Sequence, residues 1–335
     1  MPLQSQTTLL ARLQEMIHTS LGDLLPADEP VAMLDFPDYR NCGDSAIWLG
    51  EMTYLKNRHG KRPAYISRIS DFSPQALQHR MPSGPILITG GGTFGDLWVA
   101  HQNFREHVME RFPGRRVIQL PQSIHYQSPE RADVTARIIA RHGNFLLLVR
   151  DEESKHFSEK HFDCEVRLCP DMAFGMGALR PEAPEFPVLA MLRTDKEGTL
   201  DEASRAAYPD IPIQDWISES RMSVRVSKAR GALAALLAGN SSEVRLSRLD
   251  AAAHNRVRRG TRQLSRGQAI VTDRLHVHIV SLLLGRPHAV LDNSYGKVRR
   301  FMSAFSGGTD LSYLATSLDD GIEWARAWAA QEAGA

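Results

Sequence analysis

Short continuous apolar runs punctuate this chain: VAMLDF (31–36), PAYIS (63–67), PILITGG (85–91), RVIQLP (116–121), FLLLVR (145–150), VLAMLR (188–193), AIVTD (269–273) and HAVLD (288–292). Between several of them, apolar residues recur at helical spacing. In DSAIWLGEMTYLKNRHG (44–60), Ile47, Leu49, Met52 and Leu55 approximate one stripe, and 129–143, 227–240, 250–267 and the stretch after Asp273 also read as helices. Strands that are apolar throughout predict sheets covered on both faces, and their alternation with helices predicts parallel order. Near the start, Leu9, Leu10, Leu13, Met16 and Ile17 share one face of an amphipathic helix. The last stretch, LDDGIEWARAWAAQEAGA (318–335), places Trp324 and Trp328 on one side of another.

The Gly- and Pro-rich segment DMAFGMGALRPEAPEFP (171–187) interrupts the alternation and reads as a linker. It separates an N-terminal α/β domain over 1–170 from a C-terminal one over 187–310. The helix in 311–335 is expected to pack back on the N-terminal domain. The predicted fold class is α/β: two doubly wound domains facing a cleft, with ligands collecting beyond the carboxyl ends of the strands.

Composition narrows the partners. The 335 residues suit about two domains, and a net charge of +1 gives no support to nucleic-acid binding. Cys42, Cys164 and Cys169 are too widely spaced for a disulfide framework or a zinc motif, which suits a reducing cytoplasm. No positive leader precedes a long apolar core, and no apolar run approaches the ~20 residues of a membrane span. The arginines of 256–266 (Arg256, Arg258, Arg259, Arg262, Arg266) read as a solvated helix face. A second reading is attraction to anionic headgroups at the inner face of a membrane, or to an acidic glycan.

Candidate chemistry lies where strands end. In NCGDSAI (41–47), Gly43 permits close backbone approach, Asp44 or Ser45 caps a helix, and Asn41 and Asp44 face the cleft, with Asp44 a proton acceptor. In GGGTFGD (90–96), Gly91 and Gly92 form either a loop whose amides approach a ligand or a tight turn where backbones touch. In LPQSIHY (120–126), Ser123 and His125 are hydrogen bonders of a loop closing a strand. Arg150, in VRDEESK (149–155), is either a surface ion pair or an arginine held at the cleft by its strand.

TDRLHVH (272–278) then begins a helix, whose free amides and positive dipole end suit an anion. Arg274 adds a planar fork for carboxylate or phosphate, unless Asp273 or another carboxylate neutralises it. His276 can donate or accept a proton near neutral pH, whereas His278 reads as a core histidine. In LDNSYGK (291–297), Asn293, Ser294 and Lys297 fall beside this loop, and Lys297 supplies another cation.

Taken in order, NCGDSAI, GGGTFGDLW, LPQSIHY, RDEES, CPDMAF, TDRLHVHIVSLLLG and LDNSYGKVRRF resemble the polysaccharide pyruvyl transferase family over roughly residues 30 to 305. The resemblance implies two Rossmann-like domains in an arrangement similar to glycosyltransferase type B. It also implies transfer of the pyruvyl group of phosphoenolpyruvate to two hydroxyls of a sugar in an exopolysaccharide or cell-surface glycan precursor, forming a ketal. Arg274, Leu275 and His276 match the family's donor motif, and Arg150 its second donor arginine. Val277 departs from the glycine that related sequences carry after the histidine, and a branched side chain there restricts backbone approach to a phosphate.

The chemistry so implied needs an acid, assigned to His276, and a base, assigned to Asp44 or His125. No metal or further cofactor is expected, and the acids Asp151, Glu152 and Glu153 read as surface charge. The acceptor is a glycan, free or lipid-linked. The rival reading is a nucleotide-sugar glycosyltransferase of the same build, using the helix N-terminus for a diphosphate.

Overall fold

A computed structural model of the chain describes residues 4–26, 28–194, 207–239, 243–292 and 296–333. The strands are β1 Ala32–Leu34, β2 Tyr65–Ile66, β3 Ile86–Ile88, β4 Gly91–Gly95, β5 Val117–His125, β6 Phe145–Val149, β7 Glu165–Leu168, β8 Phe186–Met191, β9 Ile213–Gln214, β10 Gly267–Thr272, β11 His288–Leu291 and β12 Ser312–Ala315. The helices are α1 Gln6–Leu21, α2 Cys42–His59, α3 Pro74–Arg80, α4 Val99–Arg111, α5 Pro129–His142, α6 Glu152–His161, α7 Arg221–Leu237, α8 Val244–Ser265, α9 Leu275–Leu284, α10 Lys297–Phe301 and α11 Leu318–Ala333.

Two wholly parallel sheets result. The first has the order β2-β1-β3-β5-β6-β7, with β4 paired to β5, and the second has the order β12-β11-β10-β8-β9. The strand sequence reverses between β1 and β3 in one sheet and between β8 and β10 in the other, so each has a switch point where a crevice opens.

The apolar runs are buried on both faces, as continuous hydrophobicity requires. Met33, Leu87, Ile118, Leu189, Met191, Ile270 and Val290 face one core shared by both sheets. The alternate residues Ala32, Leu34, Ile86 and Ile88 enter the first sheet's outer core, and Val188, Ala190, Ala269 and Val271 the second's. The shared core also takes in Leu9, Leu13 and Ile17 of α1, Ile47 and Trp48 of α2, and Ile279 and Leu283 of α9. Gln6 Nε2 donates to the carbonyls of Leu282 and Leu283, and Arg12 to that of Phe305, so α1 bridges to the second sheet's helices.

Several expectations need correction. Ile322 and Ala325 put α11 in the outer core of the second sheet, because its apolar side covers β8, β10 and β11 rather than the N-terminal domain. Residues 312–315 extend that sheet as β12, past the expected boundary at 310. GGTFG (91–95) is a strand rather than a loop, and PQSIH prolongs β5. Their backbone partners are each other, with Gly91 opposite Gln122 and Gly95 opposite His125. The arginine run is a solvated face only in part, with Arg258 and Arg262 exposed. Arg256 is buried on Glu219 and Asp38, Arg259 pairs with Glu219, Arg262 with Glu182 and Arg266 with Glu185.

His278 is a core residue, as read from the sequence. Its Nδ1 lies 2.7 Å from His288 Nε2 and its Nε2 2.8 Å from Ser306 Oγ, while His288 Nδ1 donates to the Arg286 carbonyl at 2.8 Å. That chain of bonds is satisfied with both rings neutral. Burial pushes His288 down to about 4 and His278 well below its ordinary value. Above pH ~6.5 neither state carries the extra protons; below it the unfolded chain takes up protons that the folded chain refuses, so stability falls as pH drops toward 4. His288 alone is expected to cost about 2 kcal/mol near pH 5. Urea unfolding at neutral pH and near pH 5 measures this, and His288→Gln should flatten the difference.

Candidate active site

A cavity of about 550 Å³ opens between the carboxyl ends of the two sheets. Tyr39, Arg40, Asn41 and Asp44 reach it after β1, Gly92, Thr93, Trp98 and His101 after β3, and Arg150 after β6. From the second sheet come Arg193 after β8, Trp216 and Ile217 after β9, Arg274, Leu275 and His276 after β10, and Lys297 after β11. Both switch points therefore contribute. Arg40, Arg150, Arg193, Arg274 and Lys297 face one carboxylate, Asp44, across this lining.

The Arg150 side chain is 3% exposed, so it is a buried pair and not the surface ion pair considered from sequence. Its Nη1 donates to Asp171 Oδ2 at 2.5 Å and its Nε to Ser123 Oγ at 3.0 Å. His276 Nε2 lies 3.4 Å from the same carboxylate oxygen and 3.4 Å from Arg150 Nη1. Burial alone would raise the Asp171 carboxyl. The hydrogen bond from His276 and the guanidinium beside it outweigh burial and hold Asp171 well below the usual carboxylate range. A permanent carboxylate thus orients both cation and imidazole, while its other oxygen accepts the amide of Ala173 at 2.9 Å.

Arg274 does not pair with Asp273. Its Nη2 donates to Asp215 Oδ2 at 2.7 Å, and the side chains are 5% and 6% exposed. The expectation of two unneutralised guanidiniums is corrected on this point: each has a buried carboxylate behind it while still lining the cavity. Charged pairs are oriented this way because an isolated buried guanidinium is costly. Asp273 instead accepts the amide of Arg193 at 2.9 Å and sets that residue's backbone at the cavity edge. Arg274 precedes α9, and its amide donates to Thr272 Oγ1 at 3.0 Å.

Glycines set the clearances. A Cβ on Gly43 would lie 2.4 Å from the His276 ring, so α2 approaches that imidazole as only glycine allows. A Cβ on Gly92 would lie 3.2 Å from Arg150 Nη2 and 3.9 Å from Lys297 Nζ, so this strand end runs past both cations. Gly91 lies outside the lining and beside Asp44. Glu51 of α2 accepts the Gly90 amide at 2.9 Å; burial pushes its carboxyl up to about 8, so it is protonated at neutral pH and adds no negative charge below the loop.

Other sequence assignments shift. Asn41, not Asp44 or Ser45, caps α2, its Oδ1 accepting from the Gly43 amide at 3.0 Å, which leaves Asp44 facing the cavity. Ser123 sits behind Arg150, and His125 is at the end of β5 away from the lining, so it is not placed to act as the base. Asp151 is no surface charge: it is buried and caps α6, accepting from the Ser154 amide at 2.8 Å. Val277 points into the shared core and not toward the cavity, so its branched side chain does not narrow the site. Asn293 and Ser294 lie outside the described residues.

Sequence reasoning missed a second acid–base pair. His101 Nδ1 lies 2.7 Å from Asp35 Oδ2, and the imidazole borders the cavity. Asp35 has φ +66°, the one described residue other than glycine in the left-handed region, where an aspartate costs less than most side chains. It also missed Arg193, although that arginine ends an apolar strand just as Arg150 does. The basic run 256–266 has a share in the site as well: Arg259 Nη2 donates to the carbonyls of Arg40 and Trp216 at 2.8 Å, fixing both lining loops.

Comparison with known proteins shows the family and the fold. The chain is 30% identical over 328 residues to pyruvyl transferase 1 of Schizosaccharomyces pombe, covering 91% of this chain and 77% of that one. It is 28% identical to EpsO of Bacillus subtilis, covering 93% and 96%. A crystal structure of a functionally uncharacterised Klebsiella pneumoniae protein shares the fold, with TM-score 0.57, 17% identity and coverage of 93% and 100%. The family model for polysaccharide pyruvyl transferases matches residues 41–295, which contain the cavity lining except Tyr39, Arg40 and Lys297, and the chain belongs to that family.

Proposed function

We propose that this enzyme takes phosphoenolpyruvate as donor and forms a pyruvate ketal on two hydroxyls of a sugar in a glycan precursor. The observation that carries this reading is the convergence of Arg150, Arg274, His276 and Lys297 at the amino end of α9, within one cavity. A donor bearing both carboxylate and phosphate needs several oriented cations at close range, and a helix N-terminus adds amides. The volume of about 550 Å³ exceeds what so small a donor fills and leaves room for a sugar. Trp98 and Tyr39, about two-fifths exposed, offer apolar faces to it. The two sheets meeting at their carboxyl ends support a type B glycosyltransferase-like arrangement.

The reaction conserves atoms as follows. His276 protonates the enol methylene, giving a methyl group and an oxocarbenium-like central carbon, which fixed charge stabilises. One sugar hydroxyl attacks that carbon and loses its proton. The carbon–oxygen bond to phosphate then breaks, and the second hydroxyl attacks, its proton leaving with the phosphate. His101, held by Asp35, and Asp44 are the candidate bases for the first hydroxyl proton, which replaces the one His276 gave, and this moves the base away from His125. Incubation with phosphoenolpyruvate and a panel of oligosaccharides, free and lipid-linked, should give equal amounts of ketal, read by mass, and of inorganic phosphate. Heat on titration with nucleotide sugars, and none with phosphoenolpyruvate, would sink the reading.

A further inference from the structure

Helix α7 turns an apolar side away from the protein. Met222 is 66% exposed, Val226 41%, Leu233 56%, Leu236 56% and Leu237 80%. At helical spacing these residues, with Ala229, form one stripe along the outward face. Scattered exposed leucines need no account, but a contiguous stripe does.

The orientation is fixed from the opposite side. Val224 and Ala235 are buried, and a Cβ on Gly231 would lie 2.4 Å from the Ser247 carbonyl oxygen of α8. Only glycine lets the two backbones approach so closely, so α7 cannot roll its leucines inward. Lys228 Nζ, on the packed side, binds Asp38 at 2.8 Å. Asp38 directly precedes Tyr39, Arg40 and Asn41, so the helix sits beside a loop that lines the cavity.

Charge identifies the occupant. The helix carries Arg221, Arg225, Lys228 and Arg230 and no acidic residue. Arg225 borders one edge of the stripe and Arg230 the other, and both are exposed with no ion-pair partner among the described residues. A second copy docked through this face would bring only further positive charge to the rim. A bilayer with anionic headgroups answers both features, taking up the apolar stripe while its phosphates meet the flanking arginines.

We propose that α7 is a membrane-docking helix, lying in the plane of an anionic lipid surface and presenting the cavity to an acceptor at that surface. No helix among the described residues is long and apolar enough to cross a membrane, so this contact is peripheral. The docking itself does not depend on the reaction proposed above.

Sedimentation of the full chain with vesicles tests it. Binding is expected to vesicles of equimolar phosphatidylcholine and phosphatidylglycerol, weak or absent on phosphatidylcholine alone, and reduced by salt. Replacing Arg225 and Arg230 together by glutamine should weaken partitioning about 30-fold. Leu233→Asp with Leu237→Asp should abolish it even at low salt, with the urea midpoint unchanged because both side chains are exposed. Equal binding to both vesicle types, no binding to either, or unaltered binding by both variants overturns the proposal. So does a dimer in solution that the leucine variant dissociates, since the stripe then belongs to a second copy.

Discussion

Alanine at His276 is expected to lower the turnover of pyruvyl transfer by about 10²–10⁴-fold while leaving the fold unchanged. The side chain is 13% exposed, and the hydrogen bonds it releases are to groups that keep other partners. Asp171 retains Arg150 and the Ala173 amide; Arg150 retains Asp171 and Ser123. The loss should therefore fall on kcat, with donor affinity close to that of the parent, because the neighbouring cations still hold the anion. The discriminating measurement is the split between kcat and the phosphoenolpyruvate dissociation constant, together with the pH profile. An acid role requires the limb due to His276 to vanish in the variant. A variant that keeps its kcat, or one that loses donor binding alone, would show that the ring serves only to bind.

The second large effect concerns the carboxylate beneath that ring. Asp171→Asn removes the charge that neutralises Arg150 and leaves the guanidinium 3% exposed without its counter-ion. Breaking one side of such a buried pair costs about 3–5 kcal/mol, most of it the penalty of the remaining unpaired charge. Urea unfolding should show the drop directly. The same variant should gain more than the parent from added phosphoenolpyruvate or inorganic phosphate, because an anion in the cavity then supplies the missing partner. An unfolding midpoint equal to that of the parent chain would refute the account of Asp171 as the group holding Arg150 in place. Arg274 has an analogous partner in Asp215, so the donor site as a whole is a set of cations each pre-oriented from behind.

Those partners explain what could and could not be read from the residue order. Strand β6 is apolar from end to end and β10 over residues 269–271, and such runs can hardly be anything else between turn signals. Position after a strand was enough to single out Arg150, Arg274 and His276. By contrast β4 is mostly glycine, and the end of β5 is proline, glutamine, serine and histidine, residues whose own preferences hide a strand that neighbouring backbone imposes. Asp171 looked like part of a linker and Asp215 lay in no motif; each becomes a counter-ion only when the chain brings it to an arginine 21 or 59 residues distant in sequence. The Asp35–His101 pair spans 66 residues and depends on an unusual backbone angle, for which no local pattern gives a sign. Arg193 is different, since the rule that found Arg150 applies to it unchanged.

Helix α1 is latched by Gln6 and Arg12 onto carbonyls near residues 282, 283 and 305. These latches join positions 276, 277 and 293 residues apart in sequence, so they close only after residues 282, 283 and 305 have been made, whereas Gln14 and Ser20 meet the carbonyls of Phe174 and Leu168 earlier. Helix α1 is therefore expected to settle in two stages, first on the N-terminal half and then as a clasp on the second sheet's helices.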